Sequence, residues 1–191
     1  MGTRNLTAVY CDGEYKVAQY GQWDGYPSGA GADVLAFAQR IADPFTRNEF
    51  RDKVRKCKWI TSEEIDKINA AIKKNEVKSW EKIWPELSRD TGAGVLDLIM
   101  EAGGLSLQNS MGFAADSLFC EWAWVIDLDK GTFEGYRGFN KDTPLTENDR
   151  FFFLRDNEDG GYYGVRLVKE YRLDDLPAKP DFLNDFGDGE E

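Results

Sequence analysis

The Asp12-Gly13 pair is the sequence feature that most restricts the fold, because it marks a tight turn near the N-terminus. Aspartate followed by glycine is typical of the type I′ turn that joins two antiparallel strands. The flanking segments 5–11 and 14–20 have the composition of strands, so the sequence predicts a hairpin. The simplest register places Leu6, Ala8 and Tyr10 opposite Gln19, Val17 and Tyr15.

Apolar residues on the second side of this hairpin, Val9 and Cys11, indicate a sheet that is covered on both faces. A helical middle region follows. Apolar spacing predicts one helix from Val34 that Pro44 ends, and the pairs Thr46–Glu49 and Thr61–Glu64 each have the pattern of a capping box that starts a further helix.

Strand patterns return after residue 117. The apolar, aromatic run 118–128 is expected to pair with 132–137, and 150–155 with 162–171. The chain is therefore predicted to be α+β, with a mainly antiparallel sheet built from the N-terminal hairpin and the C-terminal strands, on which the helical segment packs as in an αββα sandwich. Residues 1–172 are expected to form one domain, and the acidic segment 173–191 a flexible tail.

Two features of the composition exclude whole classes of function. The chain contains no histidine, which removes histidine-based acid–base catalysis, Ser-His-Asp and Cys-His nucleophiles, and histidine-ligated metal or haem sites. Its net charge is −11, which disfavours direct binding to nucleic acid. An enzyme is therefore not the expected class, and no cofactor is predicted.

The three cysteines indicate a reducing, cytoplasmic setting, because they are odd in number and include no Cys-x-x-Cys pair. No stretch approaches 18 apolar residues and no signal-peptide pattern is present, so neither a membrane protein nor a secreted one is expected. Basic neighbours would lower the pKa of Cys57, although a packing role is the simpler interpretation. The carboxylates Asp127, Asp129 and Glu134 do not fit a calcium loop, and no metal is predicted.

The loop of residues 22–31 is the predicted ligand site. Glycines allow close approach of a ligand to the backbone, aromatic rings stack on planar groups, and a loop that leads into a helix offers free N–H groups to an anion. The predicted ligand-binding residues of the loop are Trp23, Asp24, Tyr26, Ser28, Gly29 and Gly31. The alternative is an ordinary connection whose aromatic side chains cover the core and whose Asp24 caps a turn.

The strings MGTRNLT at 1–7 and KVAQYGQWDGYPSG at 16–29 resemble motifs of a protein family of phages, bacteria and fungi to which no activity is assigned. LSRDTG at 87–92 and FAADSLFCEW at 113–122 are similar to its later motifs. The resemblance adds Arg4 to Trp23 and Asp24 as site residues. A fainter resemblance, in topology, is to N-terminal-nucleophile hydrolases, which implies Thr3 as the attacking residue because Gly2 has no nucleophile.

We therefore expect an acidic cytoplasmic binding protein, phage-associated by its resemblance. It would sequester a small anionic or planar ligand, or inhibit a basic host-defence protein in the manner of an anti-CRISPR DNA mimic. One alternative is an amidohydrolase of the N-terminal-nucleophile type. Another is a structural or oligomerisation domain with strand 118–126 as its interface. The oligomeric state stays open.

Overall fold

A computed structural model describes residues 2–74, 80–158 and 160–187. The strands are β1 (Asn5–Cys11), β2 (Glu14–Gly21), β3 (Lys58–Trp59), β4 (Ser106–Leu107), β5 (Trp122–Asp127), β6 (Thr132–Arg137) and β7 (Arg166–Arg172). The α-helices are α1 (Ala32–Arg40), α2 (Pro44–Val54), α3 (Ser62–Lys73), α4 (Trp80–Ile83), α5 (Val95–Ala102) and α6 (Lys179–Asp185). None of these helices has the length and apolar character needed to cross a bilayer.

A five-stranded sheet forms the centre of the fold, in the order β2-β1-β5-β6-β7. Strands β1 and β5 run parallel and the other neighbours antiparallel, while β3 and β4 form a separate parallel pair. The predicted α+β class with a mainly antiparallel sheet is confirmed. Within the described ranges there is one large sheet, so its layers differ from the two stacked sheets of an αββα sandwich.

The N-terminal hairpin turns at Asp12 and Gly13, which both have positive φ, 55° and 80°. Lys16 is an extra residue in β2, because Tyr15 and Val17 pair with consecutive residues of β1. The predicted pairing of Tyr10 with Tyr15 is confirmed. Beyond the bulge the predicted register is wrong, since alternation of residue types carries no signal for one extra residue. The observed pairs there are Leu6 with Tyr20, Ala8 with Ala18 and Val9 with Val17.

Helices α1, α2, α5 and α6 supply the apolar side chains that cover one face of the sheet. Trp124 is fully buried at its centre and stacks on Trp122 with 5.5 Å between ring centroids. Its Nε1 donates to Gly25 O at 3.1 Å, which ties the loop of residues 22–31 to the core. These tryptophans are internal, so the hypothesis that strand 118–126 is an intermolecular interface is wrong for β5.

The opposite face is covered by two 3₁₀ helices, Met111–Ala115 and Phe152–Asn157. The second occupies the segment 150–155, so the strand predicted there is wrong and β7 pairs with β6 instead. Phe151 and Leu154 are buried three residues apart, which is the period of a 3₁₀ helix rather than of a strand. Both faces of the sheet are covered, as predicted.

Helix α2 begins at Pro44, because Asp43 caps it by accepting the backbone N–H of Thr46 at 2.8 Å. Proline suits the first turn of a helix, where its missing N–H would have no partner. The helix predicted from Val34 is α1, which ends at Arg40, ahead of Pro44, as predicted. The predicted start at Thr46 is wrong, because α2 has already begun at Pro44, and the Thr46–Glu49 capping box does not form. The Thr61–Glu64 capping box is present at the start of α3, as predicted.

Residues 173–187, expected as part of a flexible tail, contain α6 and complete the core. Leu173 and Phe182 are fully buried, and Phe186 lies 5.2 Å from Trp124 between ring centroids. Apolar side chains spaced along this acidic segment outweigh its charge, because each finds a place against the sheet. Residues 188–191 lie outside the described part of the chain.

Candidate functional site

Backbone hydrogen bonds within the loop of residues 22–31 stabilise its conformation. Gly29 N and Gly31 N both donate to Tyr26 O at 3.1 Å, and Ala30 N donates to Asp24 O at 2.7 Å. Carbonyls of the same loop therefore occupy these N–H groups, and the expectation that the loop offers free N–H groups to an anion is wrong for residues 29–31. Asp24 has a positive φ of 49°, which allows the chain to fold back in this way.

Trp23 and Asp24 lie together at a small cavity of about 140 Å³. Trp23 Nε1 donates to Asp90 Oδ1 at 2.7 Å, and Gln22 N donates to Arg89 O at 2.9 Å, so the loop is bonded to the segment 89–94. The two glycine-containing turns that precede α1 and α5 are thus neighbours. The cavity is smaller than the ~300 Å³ at which ordinary ligand pockets begin.

The remaining predicted site residues do not line this cavity. Arg4 stacks on the Phe119 ring at 4.6 Å, with its Nη2 3.9 Å from Glu121 Oε1. Tyr26 is 49% exposed and Ser28 is also exposed. Gly29 faces the Asp24 carbonyl and Gly31 faces the Trp124 ring, where a Cβ would come within 2.3 Å and 2.7 Å of the nearest atoms. The absence of a side chain at both positions is therefore explained by close packing, without a ligand.

The residues proposed as nucleophiles are inaccessible. Thr3 is 4% exposed, which leaves the N-terminal-nucleophile hypothesis without a hydroxyl that a substrate can reach. The three cysteines are buried and free. Burial raises the pKa of the Cys57 thiol, so the prediction of a lowered pKa is wrong: desolvation outweighs the hydrogen bond with the Leu105 backbone and the charge of Lys16, both of which lower it.

Cys11, Asp12 and Asp129 place one potential metal-ligand atom each within 4.8 Å of one another. Two arginines already neutralise this cluster, since Arg51 Nη1 lies 2.9 Å from Asp129 Oδ1 and Arg55 Nε 2.7 Å from Asp12 Oδ2. Burial also raises the pKa of the Cys11 thiol, which opposes the thiolate that a metal requires. The donor set therefore fits a salt-bridge network better than a metal ion.

A second site, which sequence reasoning missed, is centred on Arg150 and Glu134. Arg150 Nε and Nη2 donate to the two carboxylate oxygens of Glu134 at 2.6 Å each, and Nη2 also reaches Asp127 Oδ2 at 2.5 Å. Glu134 further accepts the hydroxyls of Thr132 at 2.8 Å and Tyr136 at 2.5 Å. A carboxylate that is 1% exposed is thereby fully hydrogen-bonded.

The cluster is charged despite its burial. Desolvation alone would raise the pKa of Glu134, but hydrogen bonds from Arg150 and Tyr136 outweigh it and hold that pKa below its usual value. Desolvation raises the pKa of Tyr15 to about 12, so its hydroxyl stays neutral. The Tyr15 Oη is buried and has no hydrogen-bond partner within the part of the chain that the structure describes.

An open cavity of about 440 Å³ lies against this cluster, and we call it the carboxylate pocket. Its charged lining consists of Asp127, Glu134, Asp149, Glu170, Lys130 and Arg150. Four carboxylates therefore face two cations. Its aromatic lining consists of Tyr10, Tyr15, Tyr136 and Phe153, of which Phe153 is 53% exposed. The combination of rings and excess negative charge is suited to an organic cation.

Sequence reasoning missed this pocket because its lining comes from all five strands of the large sheet and from the segment around Arg150. The carboxylates of β5 and β6 were considered only as a calcium loop, and Arg150 was placed in a strand. A signal was nevertheless present: Thr132, Glu134 and Tyr136 alternate along β6, which puts three polar groups on one face of the strand.

Comparison with known proteins gives no relative: no family model, no curated protein and no solved structure matches the chain. Arguments about function therefore rest on the site geometry alone.

Proposed function

We propose that this chain is a binding protein that captures a basic partner by accepting a lysine or arginine side chain in the carboxylate pocket. The observation that carries the proposal is the excess of carboxylates over cations around an open, aromatic-walled cavity. The consequence of such capture is inhibition or sequestration of the partner, acting in the cytoplasm, where the three free cysteines stay reduced.

An incoming ammonium or guanidinium group has acceptors in this pocket. Glu170 is partly exposed and is bonded to Lys130 Nζ at 2.5 Å, and Asp149 accepts from Thr146 N at 2.7 Å, so each keeps lone pairs for another donor. The apolar stem of a lysine or arginine side chain would pack on Phe153 and Tyr15, whose ring centroids are 6.1 Å apart.

The buried cluster of Arg150, Asp127 and Glu134 orders the floor of the pocket, because its carboxylates are already bonded to Arg150 and do not contact the ligand directly. Arg150 fixes Asp127 and Glu134 in place, and the neutral hydroxyls of Tyr15 and Tyr136 complete the floor. A charge of −11 over the whole chain adds long-range attraction, which increases the rate of association with a basic protein more than the affinity.

Titration of a short lysine-rich peptide, with a glutamate-rich peptide of equal length as the control, tests the proposal. We expect the lysine peptide to bind at low salt and to weaken as salt rises. Glu170→Gln and Phe153→Ala should each weaken binding, about tenfold for Glu170→Gln because the freed Lys130 then repels the ligand.

Glu63→Gln is the matched control, because it removes the same charge from an exposed position on α3, outside the pocket. It should change the affinity by less than about twofold. If Glu63→Gln weakens binding as much as Glu170→Gln, the attraction is due to net charge and the pocket has no role.

A further inference from the structure

Arg137 and Arg166 lie directly opposite each other on β6 and β7. Cross-strand partners point to the same face of a sheet, and two like charges in that position destabilise it. Neither arginine has a carboxylate within 4.0 Å among the described residues. Arg166 Nη1 instead donates to Thr143 Oγ1 at 2.8 Å, and the Arg137 guanidinium lies 5.4 Å from the centre of the Trp122 ring.

This arrangement is exceptional in a chain with so many acids. Apart from Arg137 and Arg166, only Arg47 lacks a carboxylate partner among the residues that the structure describes, and Arg47 donates to the carbonyls of Ile41 and Ala42. The other arginines, all in the described part of the chain, have a carboxylate within 4.0 Å. Arg137 and Arg166, which have neither a carboxylate nor a carbonyl acceptor in the described part of the chain, are therefore neighbours.

A cavity of about 470 Å³ lies beside them, between the loop of residues 138–143 and β7, and we call it the arginine pocket. Lys141 also lines it, with Nζ 4.8 Å from the centre of the Tyr162 ring. Asp142 is the one carboxylate in the lining, so the pocket carries an excess of positive charge. It is separate from the carboxylate pocket, which Glu134 and Tyr136 line on the opposite face of β6.

The loop of residues 138–143 beside the arginine pocket is hydrogen-bonded to neighbouring segments and exposes an aromatic ring. Phe139 is 53% exposed and has a positive φ of 56°, a conformation that is unfavourable for a bulky side chain. Its N–H donates to Ser117 O at 2.7 Å, and the Asn140 side chain donates to Thr143 O at 2.7 Å and Gly164 O at 3.0 Å. Backbone strain of this kind often accompanies a functional position.

We propose that the arginine pocket binds a small ligand in which a phosphate group is joined to a planar ring, as in a nucleoside monophosphate. The phosphate oxygens accept from Arg137 and Arg166 and relieve their repulsion, and Lys141 adds a third donor. The planar ring lies against Phe139. The cavity has the volume of an ordinary small-molecule site.

The chemistry of the pocket favours a free ligand over a nucleic acid. A polymer would bring many phosphates against a chain of net charge −11, whereas a single phosphate meets only the local positive charge. This inference does not depend on the proposed capture of a basic partner, since a different pocket and the opposite charge carry it.

Calorimetric titration tests the proposal with AMP, adenosine, inorganic phosphate and a short single-stranded oligonucleotide as probes, at low salt and neutral pH. We expect AMP to bind, adenosine to show no binding, and phosphate to bind more weakly than AMP. Arg137→Gln and Arg166→Gln should each weaken AMP about tenfold or more, as expected for loss of a charged hydrogen bond. Both variants should stay folded, because each removes a repulsion.

Two further variants make the result specific. Lys67→Gln removes one unpaired positive charge from an exposed position on α3 and should leave AMP binding within about twofold of the wild type. Phe139→Ala should weaken AMP but not phosphate. The proposal is overturned if wild-type protein does not bind AMP, if Arg166→Gln binds it unchanged, if phosphate binds as tightly as AMP, or if the oligonucleotide binds more tightly.

Discussion

Arg150 and Glu134 share two hydrogen bonds of 2.6 Å each, one from Nε and one from Nη2, with both side chains largely withdrawn from solvent. The same guanidinium also forms a salt bridge with Asp127, so one cation neutralises part of the charge of two buried carboxylates. This relationship fixes the position of the 3₁₀ helix that follows Arg150 relative to β6. It also leaves the wall of the carboxylate pocket with an excess of negative charge.

Replacing Arg150 with methionine should destabilise the fold by about 3–5 kcal/mol, because Glu134 and Asp127 would then be buried without their cation. Urea unfolding measures the difference. Arg40→Gln is the control: the Arg40–Asp97 pair is more than half exposed on both sides, and its loss should cost less than about 1 kcal/mol. Equal effects of the two substitutions would refute a special role for the buried pair.

The stability of the protein should depend on pH through Glu134. Its folded pKa lies below the usual 4.5, so its ionised form stabilises the fold above that pH, and this contribution is lost as the pH falls through the folded pKa. Stability of the wild type should fall more steeply than that of Glu134→Gln below about pH 4.5. Urea midpoints measured across this range test the sign.

A second pH effect is expected on the alkaline side. Burial raises the pKa of Tyr15 to about 12, so the neutral phenol stabilises the fold at ordinary pH, and this contribution is lost as the pH rises from 10.0 through 12. The Tyr15→Phe variant should lose less stability than the wild type over the same interval. A steeper loss in the variant would contradict this assignment.

Thr7→Val should stabilise the protein by about 1 kcal/mol, because Thr7 is fully buried and its hydroxyl has no hydrogen-bond partner among the described residues. Thr132→Val is the matched comparison. The Thr132 hydroxyl is buried too but donates to Glu134 Oε1 at 2.8 Å, so its removal should cost about 1.5–3 kcal/mol. Thermal or urea unfolding distinguishes the two, and destabilisation by Thr7→Val would indicate an unrecognised partner.

Gly31→Ala should destabilise the fold by about 1–3 kcal/mol, since the new Cβ would lie 2.7 Å from Trp124 Cζ2 in a packed core. Gly112→Ala is the control, because a Cβ there meets nothing within 4 Å, and its effect should stay below about 0.5 kcal/mol. A neutral Gly31→Ala would mean that the loop shifts easily, and Gly31 would then lack the structural role described above.

Phe182→Ala should cost about 3–5 kcal/mol, because this fully buried ring in α6 packs 5.8 Å from both Trp124 and Phe133 between centroids. Phe45→Ala, at a position that is 79% exposed, should change stability by less than about 0.5 kcal/mol. Urea unfolding of both variants tests whether the C-terminal segment is part of the cooperative fold.

Local signals were sufficient for several elements. Asp12-Gly13 predicts the first hairpin, and Thr61–Glu64 predicts the start of α3. In each case the interaction joins residues only a few positions apart, so the sequence contains both partners side by side. The α+β class follows from the same local patterns taken in order.

The sites were harder to predict from the sequence, because the residues that interact there are far apart along the chain. Trp23 and Asp24 do share one cavity, but the Asp90 that bonds Trp23 comes from a distant turn, and Arg4 stacks elsewhere on Phe119. Residue types in a loop indicate what chemistry it offers. They do not indicate whether its N–H groups are already occupied by its own carbonyls.

By itself the sequence determined the turn, the Thr61–Glu64 cap, the absence of histidine and the negative net charge, because these are properties of single residues or of near neighbours. Tertiary structure alone decided the bulge at Lys16, the pairing of β1 with β5, and the opposition of Arg137 to Arg166. It also decided that Arg150 meets Glu134. The free energy of a charged or apolar group depends on which distant groups surround it, and only folding of the chain brings those groups together.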